Sequence, residues 1–303
     1  MRIRTVDREP NLLQPAVWRE RLCRMNYKIV GDSCCDYTAF DDGMPWLRRV
    51  PLFIDLEDKH YIDNDSLDID ELLREMAASP EAPKSACPSP GAFLDAFEGE
   101  ETEVYVVTLS GKLSGSYASA VNAARMAETA GKQIHVFDSR SAAAGEIAIC
   151  LKLRELKEQG LSFEETVVRT ERYIDSMHTL FVLETLETFR KSGRLTHLQA
   201  VVTAALKLKL IMKGEPDGSI GIAGKALTIR AALVRLAEKI RDLSADGDFR
   251  GRRLVITHCN CPERAEYLKN EIMKRCRFSA CVICRSSGIS TIYANDGGVI
   301  VSF

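Results

Sequence analysis

No run of apolar residues in this chain is long enough to cross a bilayer, and no low-complexity segment or internal repeat stands out. Residues Met1 to Met25 carry six arginines and no apolar core, so a secretory leader is not expected there. Net charge is only −2, which removes the basic footprint of a nucleic-acid-binding protein. The common catalytic signatures are also missing. Ser114 sits in Gly-Lys-Leu-Ser-Gly rather than in the Gly-x-Ser-x-Gly elbow, and there is no Walker segment. The five histidines, at 60, 135, 178, 197 and 258, have no motif spacing to any serine. Gly218, Gly221 and Gly224 follow a turn and lack the strand–helix frame of a dinucleotide site.

Cysteine is plentiful, with ten in the chain. Without an export signal they read as free thiols in a reducing, cytoplasmic setting. Cys281-x-x-Cys284 and His258-Cys259-x-Cys261 invite a zinc site. Ser279 to Arg285 reads as a strand, however, and on a strand Cys281 and Cys284 project to opposite faces, which suits chelation badly. Adjacent Cys34 and Cys35 diverge in the same way. No metal and no cofactor are expected.

What is present is an ordinary soluble composition, 46% apolar and 28% charged, over 303 residues, enough for two domains. The most informative stretch runs from Val104 to Glu128. Val-Tyr-Val-Val-Thr-Leu reads as a buried strand, and the Ala-rich run from Tyr117 reads as a helix. Between them lie Ser110, Gly111, Lys112, Leu113, Ser114, Gly115 and Ser116. A strand, a small-residue loop and a helix start make an anion site, because the first helical N–H groups and the helix dipole both favour negative charge. Serine hydroxyls add donors, and glycine lets the backbone approach a ligand. The same spacing also fits a plain helix N-cap.

Residues 1–25 read as an extension, with a helix from Pro15 to Met25. Residues 26–160 then alternate strand and helix, which predicts a parallel, helix-covered sheet. Tyr27 to Gly31 is its first strand, ending in Asp32-Ser33-Cys34-Cys35-Asp36. Small polar residues at such strand ends either meet ligands or turn the chain. Arg49 to Ile54 is a second apolar stretch, and Asp68 to Ala78 an amphipathic helix. Ser89 with Pro90 marks a helix start, with Ser85 in the loop before it. Gln133 to Phe137 and Ser141 to Gln159 are the next strand and helix. After Gly160 the pattern changes. Helices at 163–176, 228–243 and 262–276, an antiparallel hairpin around Gly214 to Gly218, and strands at 180–183, 254–258, 280–284 and 299–303 predict a mixed or antiparallel sheet with helices on one side. The expected fold is therefore α/β with two domains, 26–160 and 161–303.

The ordered motifs resemble those of the DegV family of bacterial fatty-acid-binding proteins. Asp32-Ser33-Cys34-Cys35-Asp36 is similar to the family's Asp-Ser-x-x-Asp. Lys84-Ser85-Ala86-Cys87-Pro88-Ser89-Pro90 resembles Lys-Thr-Ser-Gln-Pro-Ser-Pro. Ser110 through Tyr117 resembles Ser-Ser-x-Leu-Ser-Gly-Thr-Tyr. Asp138-Ser139 with Gly145 matches the next strand's ending. Glu184-Thr185-Leu186 through Ser192-Gly193-Arg194 resembles Asp-Thr-Leu…Gly-Gly-Arg, and Leu206 to Lys209 resembles Leu-Asn-Ile-Lys. The likeness covers about Tyr27 to Phe303.

The resemblance implies one long-chain fatty acid held between two domains, its carboxylate gripped by Ser85, Ser114 and the Gly115 N–H. Ser110, Asp32 and Ser33 are supporting candidates. It further implies a carrier that presents the acid to a separate fatty acid kinase and does not itself catalyse, with transient membrane contact allowed. Arg194 would meet a kinase partner or bind its own domain. The family often carries a histidine near the C-terminus. Here Cys284-Arg285-Ser286-Ser287-Gly288 is read as that region, so Arg285 becomes the candidate replacement for it in the carboxylate network. Two other readings stay open: a phosphoryl-transfer enzyme using the same serine-lined loop, since the family's sheet is similar to that of dihydroxyacetone kinase domains, and an interaction protein with an adventitious lipid.

Overall fold

The computed structural model describes residues 26–36, 47–127, 131–204, 208–244 and 246–303. The helix expected at Pro15 to Met25 lies outside them. Two α/β units follow one another along the chain.

The first unit is built on a four-stranded sheet in the order β2-β1-β6-β7, all parallel: β1 (Tyr27–Asp32), β2 (Leu47–Val50), β6 (Glu103–Thr108) and β7 (Gln133–Asp138). Its central strands carry apolar residues on both faces, Ile29 and Val30 in β1 and Val104 to Val107 in β6, because both faces are covered. Val30, Val104 and Val106 point to α2 (Pro90–Phe97) and α3 (Ser116–Ala127). Ile29, Tyr105 and Val107 point the other way, to α4 (Ala144–Glu158).

A smaller antiparallel sheet, in the order β4-β3-β5, was not expected. It is made of β3 (Phe53–Leu56), β4 (Lys59–Ile62) and β5 (Lys84–Ala86). The apolar run Arg49 to Ile54 is therefore two strands in different sheets, broken at Pro51-Leu52. Ser85 is not in a loop; it pairs with Ile54 in this sheet. Helix α1 (Ile69–Ala78) begins at Asp68, whose side chain accepts from the N–H groups of Asp70 and Glu71.

The second unit carries a six-stranded mixed sheet in the order β10-β9-β8-β13-β11-β12. Its strands are β8 (Thr179–Val182), β9 (Lys209–Gly214), β10 (Ile220–Ala226), β11 (Asp248–His258), β12 (Arg277–Arg285) and β13 (Val299–Ser302). Only the β11–β12 pair is parallel. One face is covered by α8 (Ile229–Asp242) and α9 (Pro262–Met273) through Leu236, Ile240, Leu268 and Ile272. Cys281 packs on this side and Cys284 on the other, as strand alternation requires. The opposite face is not bare: Phe181, Met212, Val255 and Ile300 join the cluster that holds Ile147, Ile149 and Leu153 of α4.

Helix α4 thus lies between the two large sheets, packed on β1 and β6 and also on β11 and β13. Each of its large aliphatic side chains contributes about 1.5–3 kcal/mol on burial. Gly160, at φ 77, ends it. Then come α5 (Phe163–Asp175), α6 (Glu187–Lys191) and α7 (Gln199–Ala204).

The last helix, α10 (Gly288–Ala294), has no counterpart in the sequence-based expectation. It leans on α1, β3 and α6. Its start is held by acids from the first unit. Asp36 Oδ1 accepts from the Ser287 N–H at 2.8 Å and its hydroxyl at 2.6 Å; Asp63 accepts from Gly288 N at 2.7 Å and Ile289 N at 2.9 Å. Glycine at 288 gives these contacts room, since a Cβ there would lie 2.5 Å from Leu67 Cδ2 and 2.7 Å from Asp63 Oδ1 and would push one of them aside.

Candidate binding site

Three polar loops and α10 converge on a cavity of about 860 Å3, counted out to its open mouth, between the two units. Leu113 and Ala142 of the first unit face Phe181, Leu183, Phe189, Ile220 and Ile300 of the second, so the walls are largely aliphatic and aromatic.

One end is polar. Ser85, held by strand pairing, places its hydroxyl 3.0 Å from that of Tyr293 on α10. The Arg194 guanidinium lies 6.0 Å from the centre of the Tyr293 ring and donates to the Leu113 carbonyl at 3.2 Å. That carbonyl adjoins Ser114. The Ser114 hydroxyl accepts from Ser116 N at 3.2 Å, so it caps α3 while also lining the cavity. Gly115 is exposed beside it, and a Cβ there would sit 2.9 Å from Cys87 Sγ. The Ser85 and Ser114 segments singled out in the sequence both line this cavity, together with Tyr293 and Arg194. A second hollow, lined by Lys84, Lys191 and Ser192 among others, shares Ser85 and Arg194 with the cavity and makes its outer rim basic.

The supporting candidates sit elsewhere. Ser110 is fully buried, and its hydroxyl donates to the Gly218 carbonyl at 2.7 Å, pinning the β9–β10 turn to the first unit. Asp32 is also fully buried and accepts from Leu109 N and Cys34 N, each at 3.0 Å, which ties the end of β1 to the end of β6. Burial pushes its carboxyl up to about 6. The Ser33 hydroxyl accepts from Leu52 N, and its carbonyl from the Ser287 hydroxyl. Arg285 does not reach the cavity: it closes β12 and pairs with Asp70 on α1. The strand carries its side chain outward, and Tyr293, eight positions on, takes the place beside Ser85. The signal that could have found it is the Gly288–Ala294 segment, whose Ser-Ser-Gly start resembles a helix cap.

Buried acids surround the site from behind. Glu146 on α4 is fully buried, and burial followed by the nearby Asp32 charge drives its carboxyl well above the ordinary carboxylate range. Burial likewise raises Asp36 to about 7, opposed by its Ser287 hydrogen bonds. Among the described residues, no group of three or more His, Cys, Asp or Glu could hold a metal ion, and no helix is long and apolar enough to cross a membrane.

A cavity with apolar walls between two α/β units and a cluster of hydroxyls at one end has the chemistry to take an amphipathic small molecule. A family model described as "Uncharacterised protein, DegV family" matches residues 26–303, and the chain belongs to the DegV family. A DegV domain-containing protein of Streptococcus pneumoniae is 33% identical over 284 residues, covering 92% of this chain and 99% of that one. The crystal structure of a DegV family protein from Ruminococcus gnavus, refined with vaccenic acid, is similar with TM-score 0.87 and 42% identity over 92% of this chain and 99% of that chain. The S. pneumoniae Fatty Acid Kinase (Fak) B3 protein loaded with linoleic acid gives TM-score 0.83 and 32% identity, with the same coverage of both chains. A DegV family protein from Eubacterium eligens, loaded with heptadecanoic acid, gives 0.82 and 27% over 91% of this chain and 98% of that chain.

Proposed function

We propose that this protein binds one long-chain fatty acid in the cavity between its two units, dividing near Gly160, and carries it to a partner kinase. The observation that carries this reading is the meeting of Ser85, Ser114, Tyr293 and Arg194 at one end of a cavity whose walls are largely aliphatic and aromatic. A buried carboxylate needs such donors to replace its lost water. The Gly115 N–H, at the start of α3, adds the helix dipole. The tail supplies affinity: about fifteen methylenes at roughly 0.8 kcal/mol each give on the order of 12 kcal/mol of gross burial, much of it offset by ordering and association. Vaccenic, linoleic and heptadecanoic acids in the related structures support this class of ligand.

The carrier role rests on the likeness to the Fak B3 protein and on the rim of Lys84, Lys191 and Arg194, a surface suited to an acidic or phosphorylated partner. In this reading the chain orients the acid and leaves phosphoryl transfer to the kinase. Native mass spectrometry of the purified protein tests the binding. The expected result is a bound species of fatty-acid mass, lost on delipidation and regained with oleate. A protein that stays ligand-free after incubation with palmitate and oleate ends the proposal.

A further inference from the structure

The cavity has a second end, remote from the hydroxyl cluster. Thr179 and Phe181 of β8 and Leu183 just beyond it are alternate residues facing the cavity, a span of about 13 Å at roughly 3.3 Å per residue. Phe181 stacks on Phe189 with ring centres 6.3 Å apart, and Phe189 lies 4.8 Å from the Tyr293 ring, at the hydroxyl end. Thr179 lies toward Ser141, whose hydroxyl is 2.7 Å away, and toward the β9–β10 turn. Beyond Thr179 is a separate, more polar cleft on the outside of the molecule. Arg140, Thr179 and Gly214 line both spaces, so the cavity and the cleft meet across these residues.

Arg140 has the longest side chain of the three. Its guanidinium pairs with Asp175 at 2.6 Å and donates to the Pro216 carbonyl at 3.4 Å, so the side chain is tied at both sides of the cleft. Its backbone is pressed against the β9–β10 turn: a Cβ on Gly218 would lie 3.2 Å from Arg140 Cα. The turn is itself held by Ser110 through the Gly218 carbonyl. Each guanidinium contact lies on the cleft side, which leaves the aliphatic stem of Arg140 for the cavity.

We propose that Arg140 is the length stop of the acyl site: its latched side chain closes the tail end, and without it the tail of a longer acid would pass into the outer cleft. This rests on the fatty-acid reading above and adds to it a residue that sets chain length. A methyl end forced against a charged, hydrogen-bonded partition must either break the Arg140–Asp175 pair or buckle, whereas a chain that stops short loses nothing.

The test is competition of palmitate, oleate and erucate (a longer homologue of oleate) against a fluorescent fatty acid on delipidated protein. Wild type should bind oleate about tenfold more tightly than erucate. Arg140→Ala should cut that preference to about twofold and leave palmitate within about twofold of wild type. Asp175→Asn unlatches the guanidinium without touching residue 140, and should give an intermediate preference; it serves if Arg140→Ala folds poorly. Wild type that binds erucate as well as oleate, or variants that keep the wild-type length profile, would overturn the length stop while leaving fatty-acid binding in place. Wild type that binds none of the three acids removes the underlying reading instead.

Discussion

The Ser85 hydroxyl and the Tyr293 hydroxyl lie 3.0 Å apart, although 208 positions separate them in the chain. One stands on a three-residue strand of the first unit and the other on the last helix of the second. The pair therefore exists only when the two units are correctly docked, and the head of the cavity is a joint product of both.

If both hydroxyls donate to a carboxylate, each should be worth about 1–3 kcal/mol. Ser85→Ala and Tyr293→Phe should each weaken oleate binding about 5- to 150-fold. The double variant should lose less than the sum, because the two groups share one network. Fluorescent-acid displacement measures all three. Unchanged affinity in Tyr293→Phe, with a clear loss in Ser85→Ala, would reduce the tyrosine to a wall residue.

Cys87 offers a chemical probe of the same place. It is half-buried, and its Sγ crowds the open face of Gly115. A carboxylate seated on Gly115 should shield it. Saturating palmitate should slow alkylation of Cys87 by iodoacetamide on the order of tenfold. Cys261 and Cys281 act as internal references. Both lie outside the lining of the cavity, and burial pushes each thiol up to about 11. Peptide mass spectrometry reads the rates. Equal labelling of Cys87 with and without palmitate would move the head group away from α3.

Most of the fold was legible because its elements carry local signals. The both-faces-buried strands β1 and β6, the capped helices α1 and α2 and the turn at Gly214 to Gly218 declare themselves by period, cap or turn residue. The misses share a cause. The strand Lys84–Ala86 is too short to show a period, and it exists because Ile54 pairs with it. Helix α10 is rich in β-branched residues, Ile-Ser-Thr-Ile, and has poor intrinsic propensity. Its start is stabilised by Asp36 and Asp63, more than two hundred positions away. Tyr293 was hidden with that helix. Arg285 drew attention in its place because charge is visible in a sequence and the direction of a side chain at a strand's end is not.

The acid at Asp36 makes a pH prediction with a definite sign. Its folded carboxyl is raised to about 7, chiefly by burial, above the ordinary 3.8. Over the interval between those values the folded state holds more protons than the unfolded one. Stability contributed by this group is therefore full at low pH and is lost as pH climbs from about 4 to about 7. Asp36→Asn keeps the oxygen that accepts from Ser287 and removes the titration. The stability of Asp36→Asn relative to wild type should rise by on the order of 2–4 kcal/mol from pH 5 to pH 8. Urea unfolding of both proteins across that range checks it. A difference that stays flat would mean the carboxyl is ionised throughout.

Asp63 offers the sharpest separation of fold from site. Its two oxygens hold the first N–H groups of the helix that carries Tyr293, and Asp63 is not among the residues lining the cavity. Asp63→Ala should leave those groups unpaired in a buried setting and cost about 1–3 kcal/mol of stability. If α10 is what delivers the phenol to Ser85, the same change should also weaken oleate binding to about the level of Tyr293→Phe. The decisive measurement is a cycle: in the Tyr293→Phe background, adding Asp63→Ala should lower the melting temperature as before but cost little further affinity, since the group it positions is already gone. A purely structural acid would behave otherwise. It would lower the melting temperature in both backgrounds and leave oleate affinity untouched in each, and the docking of the two units would then no longer account for the head of the cavity.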